Sequence, residues 1–169
     1  YERIVTSYAA PNNHILHSLF VRFSVNLLGT ESWTSRLPAF AAGILAVPLV
    51  FVLGRSLLLS SSAGLIAAWL LAMMPVHISY SQVSRGYSLS ILLAILALLF
   101  AKKAVAEGMN WQWAAFGVSG FLGAWTLPSG AFHLVSLGVW GALVAGPTVR
   151  RKAVASTLAS LALNFSFLL

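Results

Sequence analysis

The most polar stretch between two apolar runs lies at residues 75–89, and it carries the side chains best suited to chemistry. Arg85 offers a planar fork of donors that can hold a phosphate through two parallel hydrogen bonds. Gln82 lies three residues before it, on the same face if the segment is helical. Tyr80 and Tyr87 add hydroxyl groups and aromatic faces. This set of side chains predicts a phosphate-binding site.

A second group of polar side chains precedes the first long apolar run. His14 and His17 are three residues apart, so a helix would place them on one face, where they could share a divalent metal. No third ligand is evident nearby, and the ligand spacing therefore does not support a metal. The residues that we expect to line the site are Asn12, Asn13, His14, His17, His77, Tyr80, Gln82 and Tyr87.

The composition shows which kind of protein must position these side chains. The chain has 169 residues, of which 59% are apolar and 8% are charged, whereas soluble proteins carry about 25% charged residues. Its net charge of +7 arises from three acids against ten Lys and Arg, not from a dense basic patch, so no nucleic-acid partner is expected. The absence of Cys excludes thiolate chemistry. These features predict an integral membrane protein.

The gaps between charged residues predict an all-α, polytopic bundle of about six spans, since a span needs roughly 20 apolar residues. The predicted spans are residues 37–53, 57–74, 88–101, 111–127, 132–144 and 153–169. The fourth and fifth spans both fall in a 42-residue gap, 108–149, which Leu127-Pro128-Ser129-Gly130 divides with a tight turn.

Residues 14–28 predict a shorter helix before the first span. Apolar residues recur there at helical spacing, but polar ones interrupt them, so we place the helix in the membrane interface. A short tilted span is the alternative. The expected domains are residues 1–36, the end of an outer loop with this juxtamembrane helix, and residues 37–169, the bundle, which would be part of a larger membrane domain.

The distribution of cations between alternate loops predicts the orientation. One side collects six cations: Arg55, Lys102, Lys103, Arg150, Arg151 and Lys152. The other side holds only Arg36 and Arg85, so the first side is expected to face the cytoplasm. We therefore expect a multi-pass protein of a bacterial or archaeal plasma membrane, with the site facing outside.

Arg85 also has an interpretation without a ligand. Arginines at a membrane boundary extend to water, and tyrosines there form an aromatic belt. Against this interpretation, Arg85 lies on the side that is poor in cations, where membrane topology gives it no advantage.

Three sequence blocks, in order and at family-like spacing, resemble one known family. They are PNNHILH at residues 11–17, GTESWTSRLPA at residues 29–39 and YSQVSRGYSL at residues 80–89. They are similar to blocks of the family 39 glycosyltransferases, which are protein-mannosyltransferase-like enzymes with the GT-C fold. The resemblance implies a hexosyltransferase that takes a sugar from a polyprenyl-phosphate donor on the outer face of the membrane.

The resemblance also implies roles for particular residues. Arg85 and Arg36 correspond to arginines expected to hold the donor phosphate, and His14 corresponds to the His of the loop block. Many relatives carry an acid at the position of Val83, which Val cannot replace. The catalytic base, an Asp in the family's first outer loop, would lie upstream of Tyr1. We therefore expect the chain to be a fragment that binds polyprenyl phosphate weakly but transfers no sugar.

Two other functions remain open at the level of sequence, a transporter or channel module and a non-catalytic membrane assembly subunit. Transporters place ionisable residues near the bilayer midplane, whereas the charges of this chain lie at helix ends. The partners expected for the glycosyltransferase are membrane lipid, a polyprenyl-phosphate-linked sugar and an acceptor that is a protein, a glycan or a lipid. No cofactor is predicted with certainty.

Overall fold

The computed structural model describes residues 14–166, and within this range the chain forms eight α-helices and no strand. In chain order they are α1 (Ile15–Leu28), α2 (Ser32–Leu58), α3 (Ser61–Met73), α4 (Pro75–Gln82), α5 (Tyr87–Glu107), α6 (Asn110–Thr126), α7 (Gly130–Val144) and α8 (Pro147–Ser166). The predicted all-α class is confirmed. Asn12 and Asn13 lie outside the described residues, and the division into residues 1–36 and 37–169 stays a prediction.

The number of helices suited to cross a membrane is lower than the six expected. Over residues 14–166, α2 and α5 are long and apolar enough, and α3 with α4 make a third span if this pair, bent by 58°, is counted as one. Although the apolar gap 108–149 is long, its turn leaves helices of 17 and 15 residues, short of the roughly 20 that a span needs. Helix α8 carries three cations in its first two turns.

The short connections follow from local sequence. Helix α3 begins after Ser60, whose hydroxyl accepts a hydrogen bond from the Ala63 backbone N–H at 3.3 Å, a normal N-cap. Helix α5 ends at Gly108, whose φ of +70° lies in the left-handed region that glycine adopts easily. The predicted turn between α6 and α7 is confirmed, with the Gly130 N–H donating to the Leu127 carbonyl at 2.7 Å.

Besides a cluster of Ala46, Ile95 and Leu99 between α2 and α5, two groups of buried side chains hold the bundle together. One lies among α5, α6, α7 and α8 and centres on Phe116 and Leu134, which are almost completely buried. The other joins α1 to α2 and α5 through Leu16, Ala42 and Leu89. Helix α3, in contrast, buries only Gly64 and exposes a face of large apolar side chains. Such a face is compatible with lipid rather than water, which supports an integral membrane protein.

Candidate functional site

The bundle has two chemically different ends. At one end, the Ser84 hydroxyl donates to the Ser35 carbonyl at 2.7 Å, and Gly86 lies beside His14 and Thr126. This is the end at which α2 and α5 begin and α6 finishes. We call it the site end. Residues of all three predicted sequence blocks therefore lie at the same end of the molecule.

The opposite end carries the cations and is called the cationic end. Lys102 donates to the Ser56 carbonyl there, and Lys152 donates to the Gly108 carbonyl at 2.8 Å. Glu107 accepts a hydrogen bond from Gln112. Lys102 and Lys152, two of the six cations that the sequence analysis assigned to one side, thus lie at the same end of the bundle.

Aromatic and imidazole rings form the centre of the site end. The rings of His14 and Tyr87 meet edge to face, with centroids 5.0 Å apart. Tyr80 stacks on Tyr87, with ring centroids 4.5 Å apart and an interplanar angle of 26°. His17 lies one helical turn from His14 and is 2% exposed. We call these four residues the His–Tyr cluster. It joins α1, α4 and α5, whose residues are distant in sequence.

Gly86 makes the close packing of this cluster sterically feasible. A Cβ at this position would lie 2.7 Å from Thr126 Cγ2, 3.0 Å from His14 Nδ1 and 3.2 Å from His17 Cβ. Its φ of −77° is ordinary, so the requirement for glycine comes from space and not from backbone conformation. Sequence reasoning missed both Gly86 and Thr126. The only available signal was the glycine inside the polar block, beside Arg85.

The two imidazoles of α1 are buried. Within residues 14–166, no group bonds to a ring nitrogen of His14 or His17 with normal hydrogen-bond geometry. Burial, with a smaller contribution from the neighbouring His14, lowers the pKa of His17 to about 4. Burial likewise lowers the pKa of His14, with a contribution from the charge of Arg85, although the backbone of Thr126 opposes the shift. Both rings are therefore neutral at pH 7.

Arg85 lies in the turn between α4 and α5 with its side chain exposed. Its backbone N–H donates to the Val83 carbonyl at 2.8 Å, which fixes the tight turn. The charge of Arg85 is close enough to influence His14. The Arg85 guanidinium group is therefore exposed to solvent and lies close to His14, one of the two neutral, buried imidazoles.

Arg36, the second predicted phosphate ligand, belongs to a different part of the same end. A cavity of about 400 Å³ lies between α2 and α4, and its lining includes Arg36, Gln82, Ser81, Trp33 and Phe40. Arg36 and Gln82 are both exposed. The structure thus brings Arg36 together with Gln82, and Arg85 together with His14, rather than collecting all four around one point.

His77 is buried at the packing contact between α4 and α2. Its Nε2 lies 3.2 Å from the Gly43 carbonyl oxygen, and its backbone carbonyl accepts from the Ser81 hydroxyl at 2.8 Å. A Cβ on Gly43 would overlap Ser81. His77 therefore helps to dock α4, the helix that carries Tyr80, against α2.

Among residues 14–166, no group of three or more His, Asp or Glu side chains is placed to hold a metal ion. His14 and His17 are the nearest approach to such a site, and they pack against Gly86.

Comparison with known proteins gives the family. A search of curated proteins and a search of solved structures found no match to this chain. The family model of the dolichyl-phosphate-mannose-protein mannosyltransferases, however, matches residues 11–169, which is nearly the whole chain and includes all three sequence blocks. The resemblance to protein-mannosyltransferase-like enzymes is confirmed, and the chain belongs to the dolichyl-phosphate-mannose-protein mannosyltransferase family.

Proposed function

We propose that this protein, a membrane glycosyltransferase of the mannosyltransferase type, takes a hexose from a polyprenyl-phosphate donor and transfers it to an acceptor hydroxyl on the extracytoplasmic face. The observation that carries the proposal is the placement of exposed Arg85 beside the His–Tyr cluster. The family membership supplies the reaction class.

Arg85 and Arg36 are the proposed donor-phosphate ligands. When the sugar leaves, negative charge develops on the departing phosphate, and preorganised cationic donors stabilise it. Arginine suits this role because its fork can make two charge-assisted hydrogen bonds to phosphate oxygens. Both guanidinium groups are exposed at the site end, so a lipid headgroup can reach them.

Tyr80 and Tyr87, which are half-buried, are the proposed lining of the sugar subsite, and Gln82 would extend this lining in the cavity that it shares with Arg36. The buried, neutral imidazoles of His14 and His17 would hold the tyrosine rings in place without adding charge. His14 borders both Arg85 and Tyr87, which places it between the phosphate side and the proposed sugar side. His77 would act indirectly, by docking α4.

The catalytic base is not assigned to a described residue. Glu107 lies at the cationic end and is bonded to Gln112. Glu31 precedes α2 with its side chain exposed and makes no capping hydrogen bond. The function proposed for Arg85 does not depend on which group removes the proton from the acceptor.

The distribution of cations supports the extracytoplasmic location. The six-to-two imbalance between the loops favours a cytoplasmic cationic end, so the site end would face outside. There it would meet a lipid-linked donor and an acceptor that is a protein, a glycan or a lipid.

The test is sugar transfer from a radiolabelled polyprenyl-phosphate hexose by the intact enzyme. Arg85→Lys keeps the charge but loses the fork, and it should reduce kcat about 10²- to 10³-fold, as is typical when one preorganised donor is removed. Ser84→Ala is the matched control, since within residues 14–166 the Ser84 hydroxyl bonds to the Ser35 carbonyl and not to a group of the His–Tyr cluster. If Arg85→Ala transferred sugar at the wild-type rate, Arg85 would not be a phosphate ligand, and it would be an arginine that extends to water at the membrane boundary.

A further inference from the structure

The contact between α6 and α8 leaves a groove that the proposed function does not use. The two helices run parallel, and three side chains of α8 donate to backbone carbonyls of α6. Ser156 bonds to Trp113 at 2.7 Å, Ser160 to Gly117 at 2.9 Å and Asn164 to Phe121 at 3.5 Å. These hydrogen bonds hold the helices in fixed register.

Small residues beside these bonds open the groove. Ala114, Gly117, Ala155 and Ala159 lie along it where larger side chains would fill the space between the helices. The resulting cavity measures about 420 Å³ and is walled chiefly by apolar atoms. Its occupant must therefore be mainly apolar.

The groove has one charged end. Lys152 lines it there, half-buried, and donates to the Gly108 carbonyl at 2.8 Å. An ammonium group has three donors, so others remain for a ligand. Glu107 is the only acid between residues 32 and 169, and it already accepts from Gln112. The charge at this end is complementary to an anion.

The length of the groove limits the occupant further. It extends from Asn110 to Phe121 on α6 and from Lys152 to Leu163 on α8, which is about 16 Å at the helical rise. Half of a hydrocarbon core is about 15 Å. An apolar chain that begins at Lys152 and follows the groove would thus have the length of a phospholipid acyl chain.

Trp113 forms part of the groove wall, three residues or about 4.5 Å deeper than Asn110. Its indole is 3% exposed and meets the ring of Phe116 edge to face. The wall below the charged end is therefore apolar, as an acyl chain requires.

We propose that the α6–α8 groove binds an anionic phospholipid, with one acyl chain between the helices and the phosphate at Lys152. Basic pockets between membrane helices on the cytoplasmic side recognise anionic headgroups in this way. The site lies at the cationic end, apart from Arg85 and the His–Tyr cluster. The proposal therefore stands independently of the donor-phosphate site.

Native mass spectrometry of the intact protein in detergent tests the proposal, with phosphatidylglycerol and phosphatidylcholine of the same acyl chains as the two probes. Phosphatidylglycerol should bind more tightly. Lys152→Gln should weaken its binding about fivefold, the value for one Lys near an anionic surface. Arg151→Gln is the matched control, because it removes an exposed cation from the same turn but outside the groove. An equal effect of both substitutions would overturn the site and leave only a general surface attraction.

A second pair of variants tests the groove itself. Ala159→Leu fills the space between the helices, whereas Ala162→Leu adds the same volume on exposed α8 surface outside it. Only Ala159→Leu should reduce the bound phosphatidylglycerol. Equal binding of both lipids would overturn the proposal, as would unchanged lipid binding by Ala159→Leu. Loss of a dimer in Ala159→Leu, without a change in bound lipid, would assign the groove to a second copy of the chain instead.

Discussion

Gly86 lies where α1, α5 and α6 meet, and its missing side chain leaves room for His14, His17 and Thr126. Gly86→Ala would place a methyl group 2.7 Å from Thr126 Cγ2, and the helices would have to separate. Overpacking of this kind costs about 1–3 kcal/mol, so we expect a lower melting temperature in detergent and reduced transfer activity. Gly146→Ala is the control, because a Cβ there meets nothing within 4 Å. Equal melting temperatures for the two variants would contradict the packing described at Gly86.

The neutral state of His17 predicts how stability depends on pH. Its pKa falls from 6.5 to about 4 on folding, mainly through burial. Between these two values the unfolded chain binds a proton that the folded protein does not. The contribution of His17 to the free energy of unfolding is therefore fully present above about pH 6.5, and it is lost as the pH falls towards 4.

Thermal unfolding in detergent across pH 7.5 to 4.5 measures this dependence. His17→Gln, which stays neutral throughout, should show a smaller decline than the wild type over the same interval. His133→Gln is the control, since His133 is exposed on α7. Parallel profiles for wild type and His17→Gln would show that His17 is not buried in the neutral form.

Among the helices, α4 depends most clearly on one distant contact. His77 and Ser81 of α4 pack against Gly43 of α2, 34 residues from His77 in sequence. Gly43→Ala would force Ser81 away, because the new Cβ overlaps Ser81 Oγ and lies 2.8 Å from Ser81 Cβ. We expect α4 to shift, and the proposed positions of Tyr80 and Gln82 to shift with it.

A double-mutant cycle tests this docking. Gly43→Ala should reduce both melting temperature and transfer activity, and Ser81→Gly in the same protein should restore part of each, since it removes both overlapping atoms. Ile44→Ala is the control for α2, because Ile44 is exposed. If Ser81→Gly merely added its own loss to that of Gly43→Ala, the two residues would not be in contact.

The same contact explains what the sequence did not predict about the helices. Pro128 and Gly130 predicted the turn between α6 and α7 because their effect is local. Residues 75–89 were predicted only as a polar stretch between two apolar runs, and within it Pro75 begins α4, in agreement with the preference of proline for the first turn. Helix α4, which is bent by 58° from α3, packs through Ser81 and His77 against Gly43 of α2, a contact that local periodicity cannot reveal.

For the whole molecule, hydropathy and loop charges predicted the class of fold and the gathering of His14, Arg85 and Tyr87 at one end. They did not predict the ring contacts or the separation of Arg36 from Arg85. Those features depend on packing between helices that are distant in sequence. Gly86, which permits the close packing of His14 and His17, is a single residue and gives no periodic pattern in the sequence. The predicted number of spans was too high. The length of a segment without charged residues does not show how many of its residues form a turn, and the turn between α6 and α7 leaves both helices short.

The orientation of the molecule connects both proposed sites to the two faces of the membrane. Ser61 begins α3 next to the cationic end, and Ser129 lies in the turn between α6 and α7 at the site end. Both side chains are exposed, and the chain contains no Cys. A single Cys at either position can therefore be labelled without a background signal from the chain.

An impermeant maleimide applied to intact cells should label Ser129→Cys, whereas Ser61→Cys should react only after the membrane is permeabilised. The reason is the imbalance of six cations against two between the alternate loops. Ser136→Cys, in the middle of the short helix α7, serves as the third position, and it should react slowly in both preparations if lipid surrounds it. Labelling of Ser61→Cys but not Ser129→Cys in intact cells would reverse the orientation. The sugar-transfer site would then face the cytoplasm, and the groove at Lys152 would face the outer leaflet.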